Sequence, residues 1–171
     1  AIIQKNPKVK IIFYNFEKLS GYKFNKEIVK KLKSDFSKNI IGCKDSSYNL
    51  FQDLKLKDFL IFPGSEAKLL EGLELGCAGC ISAVTNVTHS ISRKVFDDFE
   101  NDKKQEKNKL LIQVRELFDK YHLISALHSY LGADNDLYNN LLPPLEPLKE
   151  NDLKNLLKEL DNLKFGSKKA A

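Results

Sequence analysis

Four short apolar runs punctuate the first half of the chain: Val9 to Asn15, Ile40 to Asp45, Phe59 to Pro63 and Gly79 to Val84. Their length and their β-branched and aromatic content predict strands. A stretch with helical periodicity is expected after each. Behind the first run, Ile28, Val29 and Leu32 share a helical face, with Asn25 placed as the N-cap. Behind the third, Ser65 can cap a helix carrying Leu69, Leu70 and Leu73, and Gly76 sits where that helix would stop. Strand–helix units of about twenty to thirty residues imply parallel strands joined by helical crossovers. The fold class is therefore α/β, either an open doubly wound sheet or a (β/α)8 barrel, and four units make half a barrel.

The second half follows another period. Leu110, Val114, Leu117, Phe118 and Tyr121 form one helical stripe, and Leu153, Leu156, Leu157, Leu160 and Leu163 form another. Between them, Gly132 to Pro147 is rich in Gly, Asn, Asp and Pro, a composition that breaks helices. The expected division is a strand–helix part over residues 1–102 and a helical extension of the same domain over residues 103–171.

The residue that needs a chemical explanation is Lys44, at the end of the otherwise uncharged run Ile-Ile-Gly-Cys-Lys. Strand alternation puts Ile40, Gly42 and Lys44 on one face, and the missing side chain at Gly42 is expected to leave room for a ligand. Desolvating an ammonium favours the neutral amine, which attacks carbonyl carbon to give a Schiff base. The plainer alternative is a strand-end lysine facing water or paired with Asp45.

Four segments carry a resemblance to a known family. Phe13-Tyr14-Asn15-Phe16-Glu17-Lys18-Leu19-Ser20-Gly21 resembles the fifth strand and following loop of the dihydrodipicolinate synthase and N-acetylneuraminate lyase superfamily, Tyr-Asn-x-Pro-x-x-Thr/Ser-Gly. Ile41 to Ser47 is similar to its sixth strand, Gly-x-Lys-Asp/Gln-Ser/Thr. Pro63-Gly64-Ser65-Glu66 resembles the turn after strand seven. Gly76 to Val87 matches Gly-x-x-Gly-x-Ile-Ser-x-x-x-Asn-Val of strand eight, and Leu142 to Leu148 is like the Pro-rich stretch before the last helix. The order and spacing of these motifs are much more specific than any one of them.

The resemblance implies a TIM barrel of which strands five to eight are present, with Ala1 to Asn6 as the tail of the preceding helix, hence the C-terminal half of a longer protein. It implies a pyruvate-type Schiff-base aldolase or lyase with Lys44 as the nucleophile and Tyr14 as the proton carrier. It further implies substrate contacts by the backbone at Ile81, by Gly64, Ser65 and Glu66, by the hydroxyls of Ser46 and Ser47, and at Ala83. No cofactor and no metal are implied. The expected partners are a 2-oxo acid such as pyruvate and an aldehyde, with a homotetramer as the assembly. Leu19 stands where the synthase branch carries a carboxylate-binding arginine, and leucine cannot replace a bidentate donor. A 2-keto-3-deoxy sugar acid or a similar substrate with a neutral aldehyde is therefore expected. The alternatives are 4-hydroxy-tetrahydrodipicolinate synthesis, or a member of the family that binds without catalysis.

Charge changes little in this picture. The formal net charge is +5, carried by 26 lysines and only two arginines, Arg93 and Arg115, against 23 acidic residues. Segments such as Asp102-Lys103-Lys104-Gln105-Glu106-Lys107 interleave the signs, as expected of a solvated helix face and not of a groove that tracks phosphates. Nucleic acid is therefore not an expected partner. No apolar run has the length of a membrane span, and a cytoplasmic protein is expected. Cys77-Ala78-Gly79-Cys80 has the spacing of a redox or zinc pair but straddles a turn and a strand start, so small core-filling thiols are expected. His89, just after the fourth run, is a candidate substrate contact; His122 and His128 are expected to pack or face water.

Overall fold

The computed structural model describes residues 1–166. A single turn of helix, α1 (Ile2–Lys5), precedes strand β1 (Ile11–Asn15), after which come a short α2 (Glu17–Ser20) and α3 (Lys26–Asp35). Strands β2 (Ile40–Asp45) and β3 (Leu60–Pro63) follow, then α4 (Leu69–Glu74), α5 (Thr85–Glu100), α6 (Asn108–Asp119), α7 (Leu123–Gly132) and α8 (Glu150–Asn162). The strands form a parallel sheet in the order β1-β2-β3. The last residues of the expected helical extension, 167–171, lie outside the described residues.

The expected caps are in place. The Asn25 side chain accepts from Ile28 N at 2.9 Å, and the Ser65 hydroxyl accepts from Ala67 N at 3.3 Å, each satisfying an amide that a helix start leaves orphaned. Gly76 ends the α4 region with φ 83°, a conformation that glycine adopts without a Cβ penalty.

Three expectations change. The fourth run is not a regular strand. Ala78 N donates to Ile61 O and Ile81 N to Pro63 O, so the segment follows the β3 edge, but it advances three residues while β3 advances two. Gly79, at φ 138°, absorbs the extra residue and breaks the ladder. The segment between β2 and β3 is not helical; it is a turn-rich loop that buries Leu50, Phe51 and Leu54, each worth roughly 1.5–3 kcal/mol of apolar burial. Residues 101–107 are solvated as expected, but as a turn between α5 and α6, with Asp102 at φ 51°.

The two faces of the sheet differ. One packs Ile11, Phe13, Ile40, Cys43 and Ile61 against Val29 of α3 and the buried loop residues Leu50, Phe51 and Leu54. On the other, Ile12, Tyr14 and Leu60 are 42%, 44% and 45% exposed. A register shift after Ile11 pairs Ile40 with Ile11 and Gly42 with Ile12, skipping Ile41. That bulge breaks the simple alternation and sends Ile40 into the Cys43 core instead of the Lys44 face. The helices form two further cores, Leu69, Leu73, Val95 and Leu111 across α4, α5 and α6, and Val84, Val114, Phe118, Ala126, Leu127, Leu156 and Leu160 nearer the C-terminus. The predicted stripes of α6 and α8 supply these contacts. Among the described residues no helix is long and apolar enough to cross a membrane.

Candidate active site

Parallel pairing sets Tyr14 opposite Lys44 at the C-terminal ends of β1 and β2. The Lys44 Nζ lies over the Tyr14 ring, 4.2 Å from its centroid, which is cation–π distance. The Ser46 hydroxyl is 3.4 Å from the Tyr14 hydroxyl, and Ser47 Oγ accepts from Glu17 N at 3.0 Å, tying the loop after β1 to the end of β2. Gly64 closes the corner: a Cβ there would stand 1.9 Å from Ser46 Oγ and 2.9 Å from its Cα, so the end of β3 can approach the end of β2 only without a side chain.

A buried polar network holds these strand ends. Asn15 and Asp45 have no exposed surface. Asn15 Nδ2 donates to Asp45 Oδ1 at 2.8 Å and to Asn49 Oδ1 at 2.9 Å, while Asn15 Oδ1 accepts from Phe24 N at 3.0 Å. Asp45 Oδ2 accepts from Leu50 N at 2.8 Å and Phe51 N at 3.0 Å. Both carboxylate oxygens of Asp45 are thus taken, Oδ1 by Asn15 of β1 and Oδ2 by the loop after β2, and the alternative that paired it with Lys44 fails. The expectation of free space at Gly42 fails too. A Cβ there would lie 2.4 Å from Leu60 O, so the glycine admits the neighbouring strand and not a ligand.

A cleft of about 880 Å³ opens over this corner. One wall comes from the strand ends, with Tyr14, Lys44, Ser46, Ser47, Tyr48, Gly64 and Ala83, and from Phe16 to Leu19 and Lys23 of the loop after β1; the other comes from the helices, with Arg115, Tyr121, His122, Leu123 and Ile124. Arg115 is fixed from behind. Its Nη1 donates to Glu66 Oε2 at 3.2 Å and Ser82 Oγ at 3.1 Å, and its Nε donates to Asp119 Oδ2 at 2.8 Å. The side chains of Arg115 and Glu66 are 12% and 0% exposed, so this is a buried ion pair. Burial pulls the Arg115 guanidinium down from its ordinary value, but Asp119 and Glu66 outweigh that and hold it above.

The model of the dihydrodipicolinate synthetase family matches residues 1–163. The chain belongs to this family. It is 31% identical over 144 residues to the 2-dehydro-3-deoxy-D-gluconate/2-dehydro-3-deoxy-phosphogluconate aldolase of Picrophilus torridus, covering 79% of this chain and 53% of that protein. It is 29% identical over 178 residues to the 4-hydroxy-tetrahydrodipicolinate synthase of Wigglesworthia glossinidia brevipalpis, covering 97% of this chain and 58% of that one. The structure superposes on dihydrodipicolinate synthase from Cyanidioschyzon merolae with a TM-score of 0.83 at 18% identity, covering 96% of this chain and 58% of that one, a likeness of fold. The chain thus spans a little over half the length of these relatives.

Of the residues expected at the site of a family member, Tyr14, Lys44, Ser46, Ser47, Gly64 and Ala83 line the one cleft. Ser65 and Glu66 do not. Ser65 is buried as a cap, and Glu66 sits behind Arg115 with its Oε1 lacking a hydrogen-bond partner among the described residues. Ile81 is docked beside β3 through its amide and stands outside the cleft lining. His89 is exposed on α5 and also outside it, whereas His122, expected to pack or face water, is exposed at the cleft and its Nδ1 lies 3.2 Å from Ser125 Oγ. Burial pushes the Cys43 and Cys80 thiols up to about 12 and raises Cys77, which keeps them protonated and unsuited to thiolate chemistry. The sequence reading missed Arg115, Tyr48 and His122, because their place in the cleft depends on loop and helix packing and not on local spacing.

Proposed function

We propose that the protein of which this chain forms the Lys44-bearing part is a Schiff-base aldolase or lyase acting on a 2-oxo acid, of the kind that cleaves or makes a 2-keto-3-deoxy sugar acid. The observation that carries this reading is the placement of the Lys44 amine against Tyr14 in one cleft, at matching register on adjacent parallel strands. Nζ of Lys44 adds to the keto carbon, whose oxygen leaves as water, giving an iminium. In cleavage, the electron pair of the bond between C3 and C4 moves into the iminium, leaving an enamine. The C4 hydroxyl loses its proton as the carbonyl of the aldehyde forms. Tyr14, hydrogen-bonded to Ser46, relays that proton and returns one to C3. Hydrolysis then frees pyruvate and the amine. The partners are accordingly pyruvate and an aldehyde, and the proposed assembly is a homo-oligomer in the cytoplasm. Similarity to the Picrophilus aldolase supports this substrate class.

A second reading, condensation of pyruvate with a carboxylated aldehyde as in the similar synthase, draws on Lys18, which brings positive charge to a cleft where Leu19 brings none. Incubation of the protein from its complete gene with pyruvate and borohydride tests the shared chemistry. A covalent adduct is expected for the wild type and none for Lys44→Ala; a folded wild type of unchanged mass contradicts both readings. Steady-state rates with aspartate semialdehyde against a 2-keto-3-deoxy sugar acid separate the two. The aldolase reading expects the sugar acid to win, and condensation of aspartate semialdehyde at about 10⁴ M⁻¹s⁻¹ or better overturns that preference.

A further inference from the structure

Tyr48 lines the same cleft as Lys44 and has no part in the chemistry above. Its φ is 54°, in the left-handed region that a residue with a large side chain adopts only under constraint. The constraint is visible on both sides. Ser46 N and Ser47 N both donate to Asn15 O, at 2.9 and 3.2 Å, while the amides of Leu50 and Phe51 are held by Asp45. Asn49, the next residue, bonds Asn15 and Phe24 O. The turn is thus pinned before and after Tyr48, and its ring stands edge-on to Phe51 with centroids 6.0 Å apart, at the cleft wall. A glycine would meet the backbone requirement without strain, so a tyrosine here calls for a role for its side chain.

The surroundings indicate what that role is. Burial raises the Tyr48 phenol above its ordinary value, only partly offset by the Arg115 charge and the Ser65 hydroxyl, so it keeps its proton at neutral pH and is a hydrogen-bond donor. Arg115, on the helical wall, has its charge answered by Glu66 and Asp119. Two fixed donor groups whose charge is already balanced suit hydroxyl oxygens better than an anion, which gains most from an unanswered cation.

Building on the aldolase reading, we infer that Tyr48 is a specificity-determining residue which, with Arg115, forms a subsite for the hydroxylated tail of the sugar acid beyond the bond that breaks. The test compares wild type, Tyr48→Gly and Tyr48→Phe in the protein from its complete gene. Three quantities are read: the thermal midpoint, the borohydride-trapped pyruvate adduct, and KM and kcat for cleavage of 2-dehydro-3-deoxy-D-gluconate. Tyr48→Gly is expected to melt at or above the wild-type temperature because strain is relieved, to retain the pyruvate adduct on Lys44, and to raise KM for the sugar acid about ten-fold, the scale of one lost hydrogen bond with its packing. Tyr48→Phe keeps the ring and should raise KM by a smaller factor. A KM within two-fold of wild type in both variants, with the adduct intact, overturns the subsite and leaves the aldolase reading standing. Absence of the adduct in the wild type removes the aldolase reading and the subsite with it.

Discussion

The two walls of the cleft are built by different means. The strand wall owes its geometry to regular backbone pairing: five residues of β1 and six of β2 in parallel register bring Tyr14 and Lys44 together, and Asn15 and Asp45, the next residue of each strand, lock the ends. The helical wall owes its geometry to a long-range ion pair, Arg115 with Glu66, 49 residues apart in the chain. In the proposed mechanism the strand wall carries the reacting groups, while the helical wall shapes what they meet. Damage to the first should therefore appear in turnover and damage to the second in stability and substrate preference.

The largest effect is expected from Tyr14→Phe. If the phenol is the proton carrier, turnover drops by roughly two to four orders of magnitude, while the pyruvate adduct on Lys44 still forms, only more slowly. Single-turnover kinetics with borohydride quenching separate the two steps, and turnover within a few-fold of wild type would mean that another group moves the proton.

On the helical wall, Arg115→Ala removes one partner of a buried ion pair and leaves the Glu66 carboxylate without compensation. The expected cost is about 3–5 kcal/mol in urea unfolding, with the double variant Arg115→Ala, Glu66→Gln recovering part of it. Equal stability of wild type and single variant would show that the pair does not hold the wall.

A smaller effect concerns pH. The Cys43 and Cys80 thiols rise from an ordinary value near 9 to about 12 on folding, chiefly through burial, with Asp45 and Cys77 adding to it at Cys43 and Glu66 at Cys80. The folded chain then binds protons more tightly than the unfolded one. The contribution is therefore fully present below about pH 9 and is lost as pH climbs towards 12. Denaturation midpoints should fall over that window and fall less for Cys43→Ala. At pH 8 the native thiols should react slowly with a disulfide reagent and quickly in urea.

Legibility in the sequence follows the same division. The caps at Asn25 and Ser65, the stop at Gly76 and the α6 and α8 stripes are consequences of local spacing, and they are where the sequence places them; the approach of Tyr14 to Lys44, on different strands, is expected only from the family resemblance. What spacing does not encode is how far a regular element persists. One extra residue at Gly79 turns an apolar run into an irregular segment beside β3, and the bulge at Ile41 redirects Ile40. Gly64 illustrates the boundary between the two kinds of information. Its motif marks it as part of the site, but the reason for the glycine, the approach of Ser46, exists only once β2 and β3 are paired. Arg115 carries no local signal at all beyond being one of two arginines in a lysine-rich chain.

The central claim is that one amine among 26 lysines is the nucleophile. Its most direct test is peptide mapping of the protein after reduction with borohydride in the presence of pyruvate. The account predicts the reduced adduct on Lys44, with Lys18 and Lys23, which share the cleft, unmodified. An adduct on either of those two, or one spread over surface lysines, would contradict it.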